Sequence, residues 1–165
     1  MQRIIVIGCP GGGKSTFARW LRDKTTLPLY YLDQLWHKPD RTVRSRDEFD
    51  ADLETILAQE RWIIDGHYNR TLERRLAACD TVFLLDLPTT VCMEGAAARI
   101  GQPREDMPWI EQEFDPAFRE YIAAFAEEQL PKTYELLKQY SDKTIVIFRS
   151  RADIQQYIAH KKDAP

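Results

Sequence analysis

Nine consecutive residues, Gly8-Cys9-Pro10-Gly11-Gly12-Gly13-Lys14-Ser15-Thr16, carry the most chemistry in this chain. They follow the apolar run Ile4-Ile5-Val6-Ile7 and match G-x-x-x-x-G-K-[ST], the phosphate-cradling P-loop. Gly8, Gly11, Gly12 and Gly13 let the backbone curl until successive N–H groups point inward at phosphate oxygens, and a helix opening at Ser15 adds the positive end of its dipole. In that arrangement Lys14 bridges the β- and γ-phosphates, Ser15 places its hydroxyl on Mg²⁺ and Thr16 reaches the α-phosphate. The expected ligand is a nucleoside triphosphate with Mg²⁺.

Two aspartates and a set of arginines supply the rest. Asp65 ends Trp62-Ile63-Ile64 and Asp33 follows the run Leu29–Leu32, so both open from strand ends toward the crevice that the P-loop faces. Asp65 reads as a metal-supporting carboxylate beside the P-loop hydroxyl, or as a helix cap or turn residue. Asp33 reads as a base or orienting group for an acceptor hydroxyl or phosphate, or as the cap of a short helix opening at Gln34. Phosphoryl transfer needs charge neutralised from mobile segments, and Arg99, Arg104 and Arg119 are the arginines placed to do it, against the plainer reading of solvated side chains. Arg41, Arg44 and Arg46 could meet an acceptor anion or form a solvated face. His67 follows Asp65-Gly66 and is expected to touch substrate, while His37 and His160 receive no role. Trp36 and Tyr68 suit a stacking wall for a base or sugar, and Tyr30 and Tyr31, within a strand, fit the core better.

Those groups must be held by an α/β scaffold. The runs Arg3–Ile7, Leu29–Leu32, Trp62–Asp65, Thr81–Leu85 and Thr144–Phe148 read as five strands alternating with helical patterns, which means a parallel sheet covered on both faces. Helices are expected over Ser15–Asp23, Arg46–Gln59, Thr71–Ala78, Thr89–Arg99, Pro116–Gln139 with a break at Pro131, and Arg151–Lys161. Ser45-Arg46-Asp47-Glu48 and Ser150-Arg151-Ala152-Asp153 match the capping box that opens a helix. Two stretches lack a period, an acceptor-side insertion at about 34–45 and a lid at about 100–115, both polar and carrying arginine and proline.

At 165 residues the chain reads as one domain, and its net charge of −3 gives no electrostatic footprint for nucleic acid. No apolar stretch is long enough for a membrane span, and MQRIIVIG runs directly into a strand without signal-peptide architecture, so a cytoplasmic protein and a monomer are expected. Cys9, Cys79 and Cys92 form no C-x-x-C pair and read as reduced thiols.

The order Gly8–Ser15, Tyr31-Leu32-Asp33-Gln34-Leu35-Trp36, Trp62-Ile63-Ile64-Asp65-Gly66-His67-Tyr68, an Arg99–Arg104 lid and Phe148-Arg149-Ser150 resembles the adenylate-kinase-like P-loop kinases, and among them the group labelled DNA topology modulation proteins. The resemblance implies a three-layer P-loop NTPase fold with five parallel strands in order 2-3-1-4-5. It implies ATP and Mg²⁺ as cofactors, with Gly11 to Thr16 on ATP, Arg99 against adenine, Arg104 and Arg119 clamping phosphates, and Phe148 to Arg151 lining the adenine pocket. Adenylate kinases carry Asp-Gly-Phe-Pro-Arg where this chain has Asp65-Gly66-His67-Tyr68-Asn69, so the arginine that grips the acceptor phosphate is replaced by Asn69, with Arg70 and Arg74 as neighbouring substitutes. The function implied is transfer of the γ-phosphoryl of ATP to a small acceptor: a nucleotide, a nucleoside or a small hydroxyl compound. The alternative, motivated by Asn69, is a nucleotide-binding regulator with little or no transfer.

Overall fold

The runs richest in β-branched and apolar residues become the centre of the sheet. A computed structural model describes residues 1–162 and places β1 (Arg3–Gly8), β3 (Trp62–Asp65) and β4 (Thr81–Leu85) side by side, each buried along nearly its whole length. β2 (Leu29–Tyr31) and β5 (Thr144–Phe148) form the edges and are only partly covered. All pairings are parallel and the order is β2-β3-β1-β4-β5, as the resemblance implied. Ile4, Ile5, Val6 and Ile7 are fully buried, which requires cover on both faces, and each contributes about 1.5 to 3 kcal/mol of hydrophobic burial.

The cover is helical: α1 (Lys14–Thr25), α2 (Leu32–Trp36), α3 (Arg46–Leu57), α4 (Asn69–Ala78), α5 (Thr89–Ala98), α6 (Pro116–Glu128), α7 (Leu130–Gln139) and α8 (Arg151–Lys162). Ser45 and Glu48 form both hydrogen bonds of the capping box at α3, and Ser150 with Asp153 does the same at α8. None of the helices among the described residues is long and apolar enough to cross a membrane.

Several expected boundaries move. The break between α6 and α7 falls at Gln129 rather than Pro131, because proline fits the first turn of the new helix, where its missing N–H costs nothing. Leu32 belongs to α2 and not to β2, so Asp33 sits inside the first turn of that helix instead of capping one from Gln34. The insertion at 34–45 therefore opens with the last three residues of α2, and it continues into a tight reversal closed by an antiparallel bridge between His37 and Val43. Residues 100–115 do lack helix and strand.

Candidate active site

The donor end is built from backbone. Gly8 (φ +136) and Gly11 (φ +80) adopt conformations that favour glycine, and a Cβ at Gly11 would lie 1.9 Å from the carbonyl oxygen of Cys92 on α5. The loop thus lies backbone against backbone on α5, and no side chain caps the N-terminus of α1 nor is there an acidic residue in its first turn. Uncapped N–H groups and an unopposed dipole make that terminus an anion site. Lys14 Nζ donates to Cys9 O at 3.1 Å, arching over the loop into the adjoining cavity. Gly8 N–H is already taken, donating to His67 Nδ1 at 3.2 Å, so Gly8 supplies a close approach to Leu85 rather than a phosphate donor. Thr16 lies on the exposed side of α1, where its hydroxyl accepts from Arg19.

Asp65 is buried at the end of β3, and its Oδ2 accepts from Ser15 Oγ at 2.5 Å while its Oδ1 has no hydrogen-bond partner. Burial pushes its pKa up to about 6, against the opposing pull of Lys14. An orphaned, desolvated carboxylate oxygen beside the P-loop hydroxyl is a fitting ligand for Mg²⁺, which binds through one or two protein oxygens and completes its octahedron with water and phosphate. No cluster of three metal-ligating side chains occurs among the described residues, and such a site needs none.

The next segment, Gly66-His67-Tyr68, is held by a residue that sequence reasoning missed. Arg75 on α4 is completely buried and donates to the carbonyls of Gly66 at 2.8 Å, of His67, and of Tyr68 at 2.9 Å. Burial pulls its pKa down to about 9. Nothing in Glu73-Arg74-Arg75-Leu76 distinguishes it from its exposed neighbour Arg74 except helical phase: the apolar residues Leu72 and Leu76 share its face. The clasp fixes Tyr68 at φ +34, an uncommon conformation for a non-glycine residue, and aims its hydroxyl at Asp33 Oδ1, 2.7 Å away. His67 lines the adjoining cavity but is almost fully enclosed. With Nδ1 accepting from Gly8, its proton rests on Nε2, 3.3 Å from Thr133 Oγ1, and burial and Lys14 push its pKa down to about 3.

Beyond the P-loop opens a cavity of about 440 Å³. Lys14, Asp33, Arg99 and Arg104 line it together, so four sequence-predicted groups from four separate segments converge. Arg99 closes α5 facing this cavity, with its Nε buried and unpartnered, and burial together with Arg104 lowers its pKa. Arg104 stands 3.2 Å from Glu111 Oε2 and 3.6 Å from Asp106 Oδ2, the latter an ion pair short of a hydrogen bond, and its Nη1 has no hydrogen-bond partner. Arg119 stands outside the cavity wall, exposed, with its guanidinium 5.5 Å from the ring of Phe114.

Of the expected aromatic wall, Trp36 and Tyr68 face the cavity. Tyr31 is in the core, and Tyr30 donates to Gln59 on the β2 edge. Trp109, Phe114, Phe118 and Tyr121 complete the wall from the 100–115 segment and α6. Phe148 is buried in an aromatic cluster with Phe17, Phe83 and Tyr157, while Arg149 pairs with Asp86 at 3.0 Å, a strand-end carboxylate that also accepts from Tyr134. The neighbours of Asn69 are committed elsewhere: Asn69 itself to Gln129, and Arg70 and Arg74 to Asp50.

A five-stranded 2-3-1-4-5 sheet with its P-loop at the end of β1 is the fold of the P-loop kinases. Among solved structures, shikimate kinase from Bacteroides thetaiotaomicron superposes with a TM-score of 0.55 at 16% identity, covering 98% of this chain and 96% of that one. A gluconokinase from Sinorhizobium meliloti gives 0.59 at 15% identity, covering 97% and 90%. In sequence, adenylate kinases of Thermotoga neapolitana and Thermotoga maritima are each 29% identical over 94 residues, which is 55% of this chain. The match spans 42% of the length of these curated relatives. No family model matches the chain.

Proposed function

We propose that the chain is an ATP-dependent phosphotransferase acting on a small molecule. The observation that carries this reading is the convergence of Lys14, Asp33, Arg99 and Arg104 on one cavity at the mouth of an uncapped P-loop helix. The N–H groups at the start of α1 and Lys14 hold the triphosphate, with Ser15 and Asp65 as the protein ligands of Mg²⁺. The ion, when bound, would neutralise charge between the β- and γ-phosphates. Arg99 and Arg104 bring buried, incompletely satisfied guanidinium nitrogens to the side from which the γ-phosphoryl leaves.

Asp33 is the base. The acceptor oxygen bonds to the γ-phosphorus as its proton passes to the Asp33 carboxylate, and the β,γ-bridging oxygen departs with ADP. Tyr68, donating to Asp33 Oδ1, fixes that carboxylate and leaves Oδ2 for the acceptor. The kinase names of the sequence relatives and fold neighbours support the reaction class, and the order of motifs supports placing the chain with the DNA topology modulation group. Its ligand in this reading is a small molecule and not DNA, since the chain is acidic.

The test is transfer of label from γ-labelled ATP with Mg²⁺ to a panel of nucleosides, nucleotides, sugars and amino alcohols. Lys14→Ala should lower transfer about 10² to 10³-fold and weaken ATP binding. Asp33→Asn should lower transfer about 10² to 10⁴-fold and leave ATP affinity within twofold. ATP bound with no transfer to any acceptor would instead support the regulator reading.

A further inference from the structure

We infer that the acceptor is a hydroxyl compound carrying a protonated amine, not a phosphate ester or a carboxylate of the kind an arginine clamp would hold. The inference rests on the phosphotransferase reading and names the substrate class of the same site. It starts from charge. Four carboxylates, Asp33, Glu111, Glu113 and Asp115, line the cavity against three basic side chains, Lys14, Arg99 and Arg104. His37, also on the wall, has its pKa lowered by burial and adds no cation at neutral pH.

In the phosphotransferase reading all three basic groups serve the donor, and Arg104 is already flanked by Asp106 and Glu111. Among the described residues no other arginine or lysine lines the cavity. Arg119, 5.5 Å from the ring of Phe114, stands outside the wall. Asn69 stands where an acceptor-phosphate arginine would be and is bonded to Gln129. Arg70 and Arg74 are paired with Asp50, and Arg44 with Asp52.

The acceptor half of the cavity is therefore acidic and aromatic. Glu113 makes no hydrogen bond or ion pair among the described residues, and Asp115 accepts only from the N–H of Ala117 at the start of α6. Around them stand Trp36, Tyr68, Trp109, Phe114, Phe118 and Tyr121. Trp109 is held edge-on by the His37 ring at a centroid distance of 4.9 Å. Aromatic faces with nearby carboxylates attract a cation through ring quadrupoles and charge, and repel an anion that finds no free arginine. The amine would sit against Glu113 and the aromatic faces, while the hydroxyl reaches Asp33.

Matched compounds that differ in charge test this: glucosamine, glucose and glucuronate, and the aromatic series tyramine, tyrosol and 4-hydroxyphenylacetate. Each is titrated into the full chain with Mg²⁺ and a non-hydrolysable ATP analogue, following tryptophan fluorescence. The amine of at least one series should bind at least tenfold more tightly than its carboxylate counterpart, with the neutral member between. Glu113→Gln should reduce that preference at least fivefold, with a melting curve as the check on folding. Equal binding of amine and carboxylate in both series, tighter binding of a carboxylate, or no binding by any member overturns the inference. Label transfer from γ-labelled ATP to the same compounds and to AMP separates the two ideas. Label on AMP or on a carboxylate in preference to the amines overturns the amine assignment and leaves the phosphotransferase standing. Amine-selective binding with no label on any compound overturns both the phosphotransferase reading and the amine's place as acceptor.

Discussion

The phosphate loop and the cavity wall that faces it are made of different materials. The loop is shaped by main chain: glycines at φ +80 and +136, uncapped N–H groups, and a seat on the backbone of α5. The wall is made by side chains that arrive from residues 33–37, 67–68 and 99–121. Backbone sites demand particular residues at fixed spacing, because only glycine fits where a Cβ would strike a carbonyl. Side-chain sites demand only that some suitable group arrive from somewhere, so they vary freely in sequence and define specificity.

The strongest test of a backbone-built donor end is Gly95→Ala. Local propensity alone favours alanine in a helix by about 1 kcal/mol. A Cβ there, however, would lie 2.1 Å from Gly11 O, so the expected result is destabilisation of about 3 kcal/mol and weakened ATP binding, measured by denaturant unfolding and titration. A stabilised variant would mean the seat is loose and would dissolve the contrast.

Next comes Asp65→Asn. The folded-state pKa of Asp65 is about 6 against an ordinary 3.8, so between those values the folded chain binds the extra proton and stability falls as pH rises. Without nucleotide or metal, the variant should be more stable than the parent by roughly 2 to 3 kcal/mol at pH 7 and no more stable below about pH 4, with Mg²⁺-ATP binding impaired. Unfolding curves across that range give the answer. A pH-independent difference would remove the charge cost assigned to this residue.

The smallest effect is expected where an arginine looks functional in sequence and is merely paired in structure. Arg70 makes a two-pronged contact with Asp50, and its side chain is 39% exposed. Arg70→Ala should cost less than about 1 kcal/mol and change KM for the acceptor less than twofold. A tenfold rise in KM would show that the pair opens to receive substrate, and would give the acceptor end the arginine it otherwise lacks.

The same contrast explains what could be read from the chain. Strands β1, β3 and β4 were legible because burial on both faces writes them as unbroken apolar runs, and the P-loop because its spacing is contiguous. Asp65 was legible as a strand-end carboxylate, and Asp33 as a carboxylate just past a strand, although α2 opens two residues earlier than its sequence suggests. Arg75 was not, since its three carbonyl partners lie seven to nine residues upstream and its neighbour Arg74 has the same composition and a different fate. Glu113 and Trp109 lay inside the stretch singled out as a lid, yet an aperiodic segment carries no signal for which of its side chains turn inward.

The contact between Gly11 and Gly95 has one more consequence. It is made of peptide units, with no ion pair for dissolved salt to screen. Arg99 follows Gly95 by about one helical turn, and the aperiodic segment begins directly after it. The seam that seats the phosphate loop and the arginine that faces the cavity thus belong to one short stretch of chain, joined by packing that ionic strength leaves untouched.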